Sequence, residues 1–332
     1  MRSVSKRRGT ESMSHQRVAL VILAIAALAG CASGGERAPV PVPLDIATFN
    51  IRYGTARDSA NAWPHRRELL FEVLQAEEPE LLGVQEALRF QLDELRREFS
   101  RWGEIGVGRE DGDTVGEYAA ILYDTRRLEP LERGSFWFSA TPEAPGSRSW
   151  GNTIPRICTW ARFRDRETGR TFYVYNAHWD HQSQASRDSS AVLLLRRMAA
   201  RAHAADPVVV TGDFNAGETN SAYLTLLSGP ARVDGAPRLA DTFRAKHPSA
   251  RLVGTYHAFT GDRTGEKIDA VLVSREWEVL SAAILYASEE DRYPSDHFPV
   301  VATVQLGVTA EAATGQSSRG ARRTPKEAAA FR

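Results

Sequence analysis

Six short stretches carry side chains that could do chemistry together. Asn50 closes an apolar run in ATFNIRY, and Glu86 closes another in GVQE. Asn176 and His178 lie in NAHWDH, and Asp213 and Asn215 straddle a phenylalanine in GDFNA. Asp269 sits in KIDAVLVS, and Asp296 and His297 stand side by side in YPSDHFPV. A single Asn or Asp at the end of a strand is usually a turn former. Six such groups, one to a strand, call for a shared explanation. Carboxylate and amide oxygens with a few imidazoles, and no thiolate cluster, suit a hard cation such as Mg²⁺ or Mn²⁺ better than a structural zinc. The Asp–His pair reads as a metal ligand beside a base.

Such residues need a rigid frame to hold them. Runs rich in Val, Ile, Tyr, Phe and Thr predict strands over 44–51, 80–86, 118–124, 157–163, 171–179, 207–214, 267–274 and 300–306. Thr168-Gly169 predicts a hairpin turn between the fourth and fifth of these. Apolar residues at helical spacing predict helices over 65–78, 87–100 and 185–204. Strands mixed with helices and hairpins predict an α/β protein on mixed sheets rather than a pure parallel winding. No repeat or second linker interrupts residues 44–307, so one domain is expected there.

The motifs TFNIRY, GVQE, NAHWDH, GDFNA, KIDAVLVS and YPSDHFPV, in this order from Leu44 to Leu306, resemble the endonuclease/exonuclease/phosphatase superfamily of metal-dependent phosphoesterases. The wording is similar to a bacterial branch of exported members, loosely akin to the deadenylase and nocturnin side. The resemblance implies a four-layer α/β sandwich: two mixed β-sheets face to face, helices outside, and the site at one rim. It implies Glu86 as the principal metal ligand, helped by Asn50 and Asp296. It implies that Asp269 orients His297, which either takes a proton from water or, protonated, stabilises the transition state. Asp213 would orient or activate the attacking water, Asn215 and Asn176 would hold phosphate, and His178 would donate to a non-bridging oxygen. Such catalysis acts by positioning and charge stabilisation.

One position departs from the family pattern. Some nuclease members carry an acid two residues after the first-motif Asn, where this chain has Arg52. A cation there argues against a second metal at that position and for a phosphate contact or a salt bridge. Glu117, Arg156, Arg187 and His257 are further candidates for substrate contact. Asp180 is a candidate for supporting the site or capping a turn, and Tyr118 for packing. His65, His203 and His247 are expected to be solvated, and Cys158 to be a small buried hydrophobe.

The chain has 332 residues and no net charge at neutral pH. That balance hides an uneven distribution: residues 31–307 hold 32 basic and 39 acidic side chains. So acidic a body has no obvious field for gripping a long polyanion, which weakens a nucleic-acid reading, although a local cleft can be basic on an acidic protein. Ahead of it, basic residues precede VALVILAIAALAG and Cys31. The run is too short to span a bilayer and reads as an export signal over 1–30, starting at Met1 or Met13. Leu28-Ala29-Gly30-Cys31 resembles a bacterial lipobox, with Cys31 the lipidated residue. Residues 31–43 read as a Gly/Pro-rich tether and 308–332 as a disordered tail. The expected location is the outer membrane, facing the periplasm, with the membrane as partner through the Cys31 anchor and a monomeric state.

Three functions compete on this reading. The favoured one is a metal-dependent phosphodiesterase or phosphatase acting on a small or lipid-linked phosphate compound. A nuclease is the alternative, with nucleic acid as the less favoured partner. A catalytically dead binding protein is remote, because every motif keeps its reactive residue. A lipid substrate would want an exposed apolar hairpin, for which only 133–152, with Phe136, Trp137, Phe138 and Trp150, is a candidate. A strand plus a packed loop is the preferred reading there.

Overall fold

The computed structural model describes residues 42–307. The signal segment, Cys31, most of the tether and the tail lie outside the described residues. Twelve strands form two six-stranded sheets. The first sheet contains β1 (Leu44–Asn50), β2 (Leu81–Ala87), β3 (Trp102–Ile105), β4 (Tyr118–Asp124), β11 (Trp277–Ile284) and β12 (Val300–Leu306), in the order β11-β12-β1-β2-β4-β3. The second contains β5 (Leu128–Trp137), β6 (Ile157–Asp165), β7 (Thr171–His178), β8 (Val208–Asp213), β9 (Leu239–Asp241) and β10 (Asp269–Ser274), in the order β5-β6-β7-β8-β10-β9.

Each sheet holds one parallel pair, β1 with β2 and β7 with β8; the other pairings are antiparallel. A parallel pair needs a helical crossover. Helix α1 (Trp63–Glu77) joins β1 to β2, and α3 (Gln184–Ala199) joins β7 to β8. Helices α2 (Arg89–Glu98), α4 (Ser221–Ser228) and the short α5 (Thr242–Lys246) complete the set.

Local signals set the boundaries. A proline stands in the first turn of α1, where its missing N–H costs nothing. Ser183 caps α3 by accepting from the Ser186 N–H at 3.2 Å. Gly169, with φ of +71°, turns the β6–β7 hairpin, and its N–H donates to the Asp165 carbonyl at 2.7 Å.

Strand alternation sends one set of apolar residues between the sheets and the other under the helices. Between the sheets lie Ile46, Leu81, Ile121 and Val304 with Val174, Val209 and Val271. The outer face of the first sheet packs Phe49, Leu82 and Val84 on Leu70, Leu74, Leu92 and Leu95 of α1 and α2. The outer face of the second packs Val208, Val210 and Leu272 on Leu194, Leu195 and Leu226 of α3 and α4. The result is the four-layer α/β sandwich. Cys158 is fully buried, and its burial pushes the thiol pKa well up.

The 133–152 segment is the end of β5 and a largely exposed loop whose Trp150 packs, partly buried, on the core under the second sheet. Phe136, Trp137 and Phe138 are buried, so it presents no apolar hairpin to a lipid surface. Among the described residues, no helix is long and apolar enough to cross a membrane.

Candidate active site

Strand direction explains why the six motifs converge. Parallel strands end on the same edge of a sheet. Asn50 and Glu86 are at the carboxyl ends of β1 and β2. In the second sheet His178 and Asp213 are register partners at the ends of β7 and β8. Antiparallel neighbours must begin where these end. Asp269 opens β10 opposite Asp213, and His297 precedes β12, whose first residue pairs with Thr48 near the end of β1.

The centre is a chain of buried polar contacts across the two sheets. The His297 ring places Nδ1 2.9 Å from Asp269 Oδ2. Its Nε2 faces Asp213 Oδ2 at 3.9 Å, and His178 Nε2 faces the same oxygen at 3.6 Å. Asn50 donates through Nδ2 to Asp213 Oδ2 at 2.9 Å and to Glu86 Oε1 at 3.2 Å, so it links a carboxylate of each sheet. Its side-chain Oδ1 accepts from the Arg52 N–H at 3.0 Å. Ligand atoms of Asp213, Asp269 and His297 lie within 4.8 Å of one another, as do those of Glu86, Glu117 and His178.

Burial and neighbours set the charges. Burial works against the His297 cation, but Asp269 and Asp213 outweigh it and raise its pKa to about 10. Asp213 is pushed up to about 7 by burial and by the nearby Asp269 carboxylate. His178 goes well below its ordinary value, through burial and the adjacent Arg156 and Arg109, and so stays neutral. Burial also raises Asp296 and takes Glu117 to about 7 against the pull of Arg109.

Three non-glycine residues at the rim have left-handed backbones: Arg52 (φ 54°), Glu86 (φ 60°) and Asn215 (φ 46°). Glu86 falls where the β2–β4 register shifts between Val84 and Ala87, so a bulge re-aims it. The Asp213 carboxylate accepts from the Asn215 N–H at 2.9 Å, and Asn215 Nδ2 donates to the Trp179 carbonyl at 3.0 Å.

The other candidates divide. Arg52 makes a two-pronged ion pair with Asp58 at 3.0 and 3.1 Å, and its guanidinium also lies 3.9 Å from Glu86 and 3.7 Å from Asp296. It is both a salt-bridged arginine and a neighbour of the proposed metal carboxylates. Glu117 reaches the site but is gripped by Arg109 through contacts of 2.6 and 2.7 Å. Arg156 is buried against His178 Nε2 at 2.8 Å and His181 Nδ1 at 2.6 Å, with Asp180 Oδ1 at 3.5 Å from its Nε. Asp180 also accepts from the N–H groups of Gln182 and Ser183, capping the turn into α3.

Three expectations of substrate contact need correction. Asn176 is wholly buried, and its amide is saturated: Nδ2 donates to the Val84 and Ala120 carbonyls, both at 2.9 Å, and Oδ1 accepts from Gln85 and Thr211. It fastens sheet to sheet. It shares a face with His178 but lies two residues, roughly 7 Å, below the rim. Arg187 directs its donors to Gln184 Oε1 and the Asp180 carbonyl, which stiffens the turn before α3. His257 is buried, stacked on Phe298 at 3.8 Å, with Nδ1 accepting from the Gly261 N–H. It supports the Asp296–His297 loop from beneath.

Some supporting residues escaped sequence reasoning. Arg66 of α1 is buried and donates to the carbonyls of Ile51, Arg52, Asn61 and Pro294, tying the first-motif loop to the last. A signal existed: Arg66 stands three residues after Trp63 and four before Leu70, on the helix's apolar face. Ser295 adds a second tie, donating to the Asn50 carbonyl at 2.7 Å. Gly83 admits the Asn176–Thr211 contact, since a Cβ there would meet Thr211 Oγ1 at 2.3 Å. Lys267, fully buried beside Asp241 at 2.6 Å, anchors the lead into β10. Arg109 and Asp58 lie in loops with no local pattern to mark them.

This fold and rim define a phosphoesterase-type α/β sandwich. The model of the endonuclease/exonuclease/phosphatase family matches residues 47–297, and the chain belongs to that family. It is similar to a solved endonuclease/exonuclease/phosphatase family protein from Bacteroides thetaiotaomicron, with 31% identity, 81% of this chain and 99% of that one covered, and a TM-score of 0.73. It is also similar to a mannosyl-6-phosphatase from Bacteroides thetaiotaomicron, with 32% identity, 79% and 99% covered, and a TM-score of 0.70. The human Nocturnin catalytic domain shares the fold, at 18% identity, 80% and 94% covered, and a TM-score of 0.64.

Proposed function

We propose that the protein is a divalent-metal-dependent hydrolase of phosphate esters, acting on a small phosphorylated compound at the cell envelope. The observation that carries this reading is the single rim on which Glu86, Asn50 and Asp296 stand beside the buried Asp213–His297–Asp269 chain. The donor chemistry fits a hard cation. Glu86 and Asp296 offer carboxylate oxygens, with Arg52 within 4.0 Å of both, and Asn50 adds an amide oxygen. Glu86 is the best-placed principal ligand, because Arg109 holds Glu117 and Arg156 holds His178 closely, while Arg52 stands off from Glu86 at 3.9 Å. A bound Mg²⁺ or Mn²⁺ would neutralise phosphate and leaving-group oxygens.

The chain's own residues do the remaining work. Asp213, with a pKa near neutrality, accepts a hydrogen bond from the attacking water and takes its proton. His297, kept an imidazolium by Asp269 and Asp213, donates to a phosphoryl oxygen as charge builds there. Neutral His178 accepts from Arg156 at Nε2 and keeps that guanidinium beside the site, and the Asn215 side chain steadies the phosphate. The water oxygen bonds to phosphorus as the bond from phosphorus to the ester oxygen breaks; that oxygen takes a proton from solvent and leaves as the alcohol, and Asp213 returns its proton to solvent.

The likeness to a mannosyl-6-phosphatase supports a small sugar-phosphate-type substrate. The burial of Phe136, Trp137 and Phe138 and the acidic body speak against a lipid surface and a long polyanion. Export and anchoring through Cys31 remain part of the reading, on sequence alone. The test is metal-dependent turnover with Mg²⁺, Mn²⁺, Ca²⁺ or EDTA across sugar phosphates, inositol phosphates, a generic phosphodiester, sphingomyelin, RNA and plasmid DNA. Cleavage of small esters only, abolished by EDTA, supports the proposal. Efficient DNA or RNA cleavage moves the assignment to nuclease, and turnover that EDTA leaves intact rejects the metal.

A further inference from the structure

Glu86 and Asp296 share one cationic neighbour. Arg52 stands 3.9 Å from Glu86 Oε2 through Nη1 and 3.7 Å from Asp296 Oδ2 through Nε. Both separations are longer than a hydrogen bond. The guanidinium makes its short contacts elsewhere: Nε and Nη2 donate to the two Asp58 oxygens at 3.0 and 3.1 Å, and its centre lies 4.7 Å from the middle of the Tyr53 ring. The root of the side chain is fixed. The Arg52 N–H donates to Asn50 Oδ1 at 3.0 Å, and its carbonyl accepts from Arg66 Nη2 at 2.9 Å and Gln91 Nε2 at 3.0 Å. These ties hold its left-handed backbone, a conformation that persists only where the surroundings over-determine it. What can move at this position is the side chain, which is partly exposed.

A free guanidinium beside two carboxylates closes on them, because charge-assisted hydrogen bonds of about 2.7–2.9 Å are the strong ones. Closed on Glu86 and Asp296, it would occupy the oxygens that a divalent cation needs. The two-pronged pair with Asp58 fixes the guanidinium in distance and plane and keeps it short of that position. We propose that Asp58 is a positioning residue that restrains Arg52 from closing on Glu86 and Asp296, so that the Arg52–Asp58 pair sets how tightly the site takes its metal. The inference rests on the assignment of Glu86 and Asp296 to the metal in the phosphoesterase reading. It adds a control on that site by a pair of residues outside the ligand set.

The experiment is a calorimetric titration of the purified protein with Mn²⁺, which reads the site without turnover. A unit charge about 4–6 Å away changes a carboxylate's affinity for a proton by about one to three powers of ten, and a metal cation meets the same field. Arg52→Gln should therefore strengthen Mn²⁺ binding by about tenfold, and Asp58→Asn, which frees the guanidinium, should weaken it by about tenfold. Asp58→Glu, which can still pair with Arg52, should stay near the parent. In the Arg52→Gln background Asp58→Asn should lose most of its effect, because it has no guanidinium to release. Equal losses from Asp58→Asn in both backgrounds overturn the inference and leave Asp58 acting only by its own charge. Weaker binding in Arg52→Gln also overturns it and makes Arg52 a support for the ligand carboxylates. Failure of the unaltered protein to bind Mn²⁺ overturns the metal reading beneath it.

Discussion

Asp269 and His297 come from segments 28 residues apart, yet their side chains meet at 2.9 Å with both buried. The contact exists because β10 opens and the last loop closes on the same rim. Asp269 fixes which ring nitrogen of His297 faces the site and, with Asp213, sustains its charge. Replacing it by the isosteric Asn removes the charge and keeps the shape. Asp269→Asn and His297→Ala should each lower kcat by about 100-fold or more while circular dichroism and thermal unfolding show a folded protein. Near-normal turnover in either would dismiss this assignment of the site.

Glu86 tests the metal. Glu86→Gln keeps an oxygen and the bulge but loses the anionic ligand, so Mn²⁺ affinity measured by calorimetry should fall by more than about tenfold, with turnover falling in parallel. Unaltered metal affinity would place the cation elsewhere.

Asn176 separates fastening from catalysis. Asn176→Ala removes the side-chain donor to the Val84 and Ala120 carbonyls and the acceptor of the Thr211 hydroxyl, and leaves Gln85 only Thr48 and Gly83. Each unpaired buried group costs about 1–3 kcal/mol, so urea unfolding should show a loss of about 3 kcal/mol or more. Full stability with slow turnover would restore it as a phosphate ligand.

His257 gives a pH signature. Burial, with the His297 charge nearby, lowers its pKa from 6.5 to about 4. The unfolded chain therefore takes up this proton more readily than the folded one. The stability is whole above pH 6.5 and drains away as pH falls toward 4. His257→Phe, which can keep the stack on Phe298, should flatten the fall of the urea midpoint over that range. Parallel slopes in variant and parent would show that His257 does not carry this pH dependence.

Cys31 tests location. Cys31→Ser should move the protein from the membrane fraction to the soluble one, and an unchanged membrane fraction would reject lipidation.

The central strands were legible because each is a nearly continuous apolar run with a polar residue at its end; the predicted limits of 118–124 and 300–306 coincide with β4 and β12. Strands β3, β9 and β11 gave no such signal, and β5 was anticipated only in its last residues. These four are the four sheet edges. An edge strand has one neighbour and a wetter face, so it is short or charged: β9 has three residues, and β5 carries Glu129, Glu132 and Arg133.

The same division runs through the site. Residue type and strand-end position were enough to find Asn50, Glu86, His178, Asp213, Asp269 and His297, because a strand's chemistry is local and its end is marked by a turn. Depth and partners were not local. Asn176 and His178 look alike in NAHWDH, but two residues of rise put one inside the sandwich and the other at its rim. Arg66 acts on Pro294, 228 residues along the chain, and Arg109 and Asp58 meet Glu117 and Arg52 through irregular loops, so only tertiary packing could show what they hold. The sequence by itself determined the strand ends, their polar residues and hence the class of chemistry. Only the folded structure decided which of those residues face the site and which fasten the sheets, because that depends on distances between chain segments that no local pattern encodes.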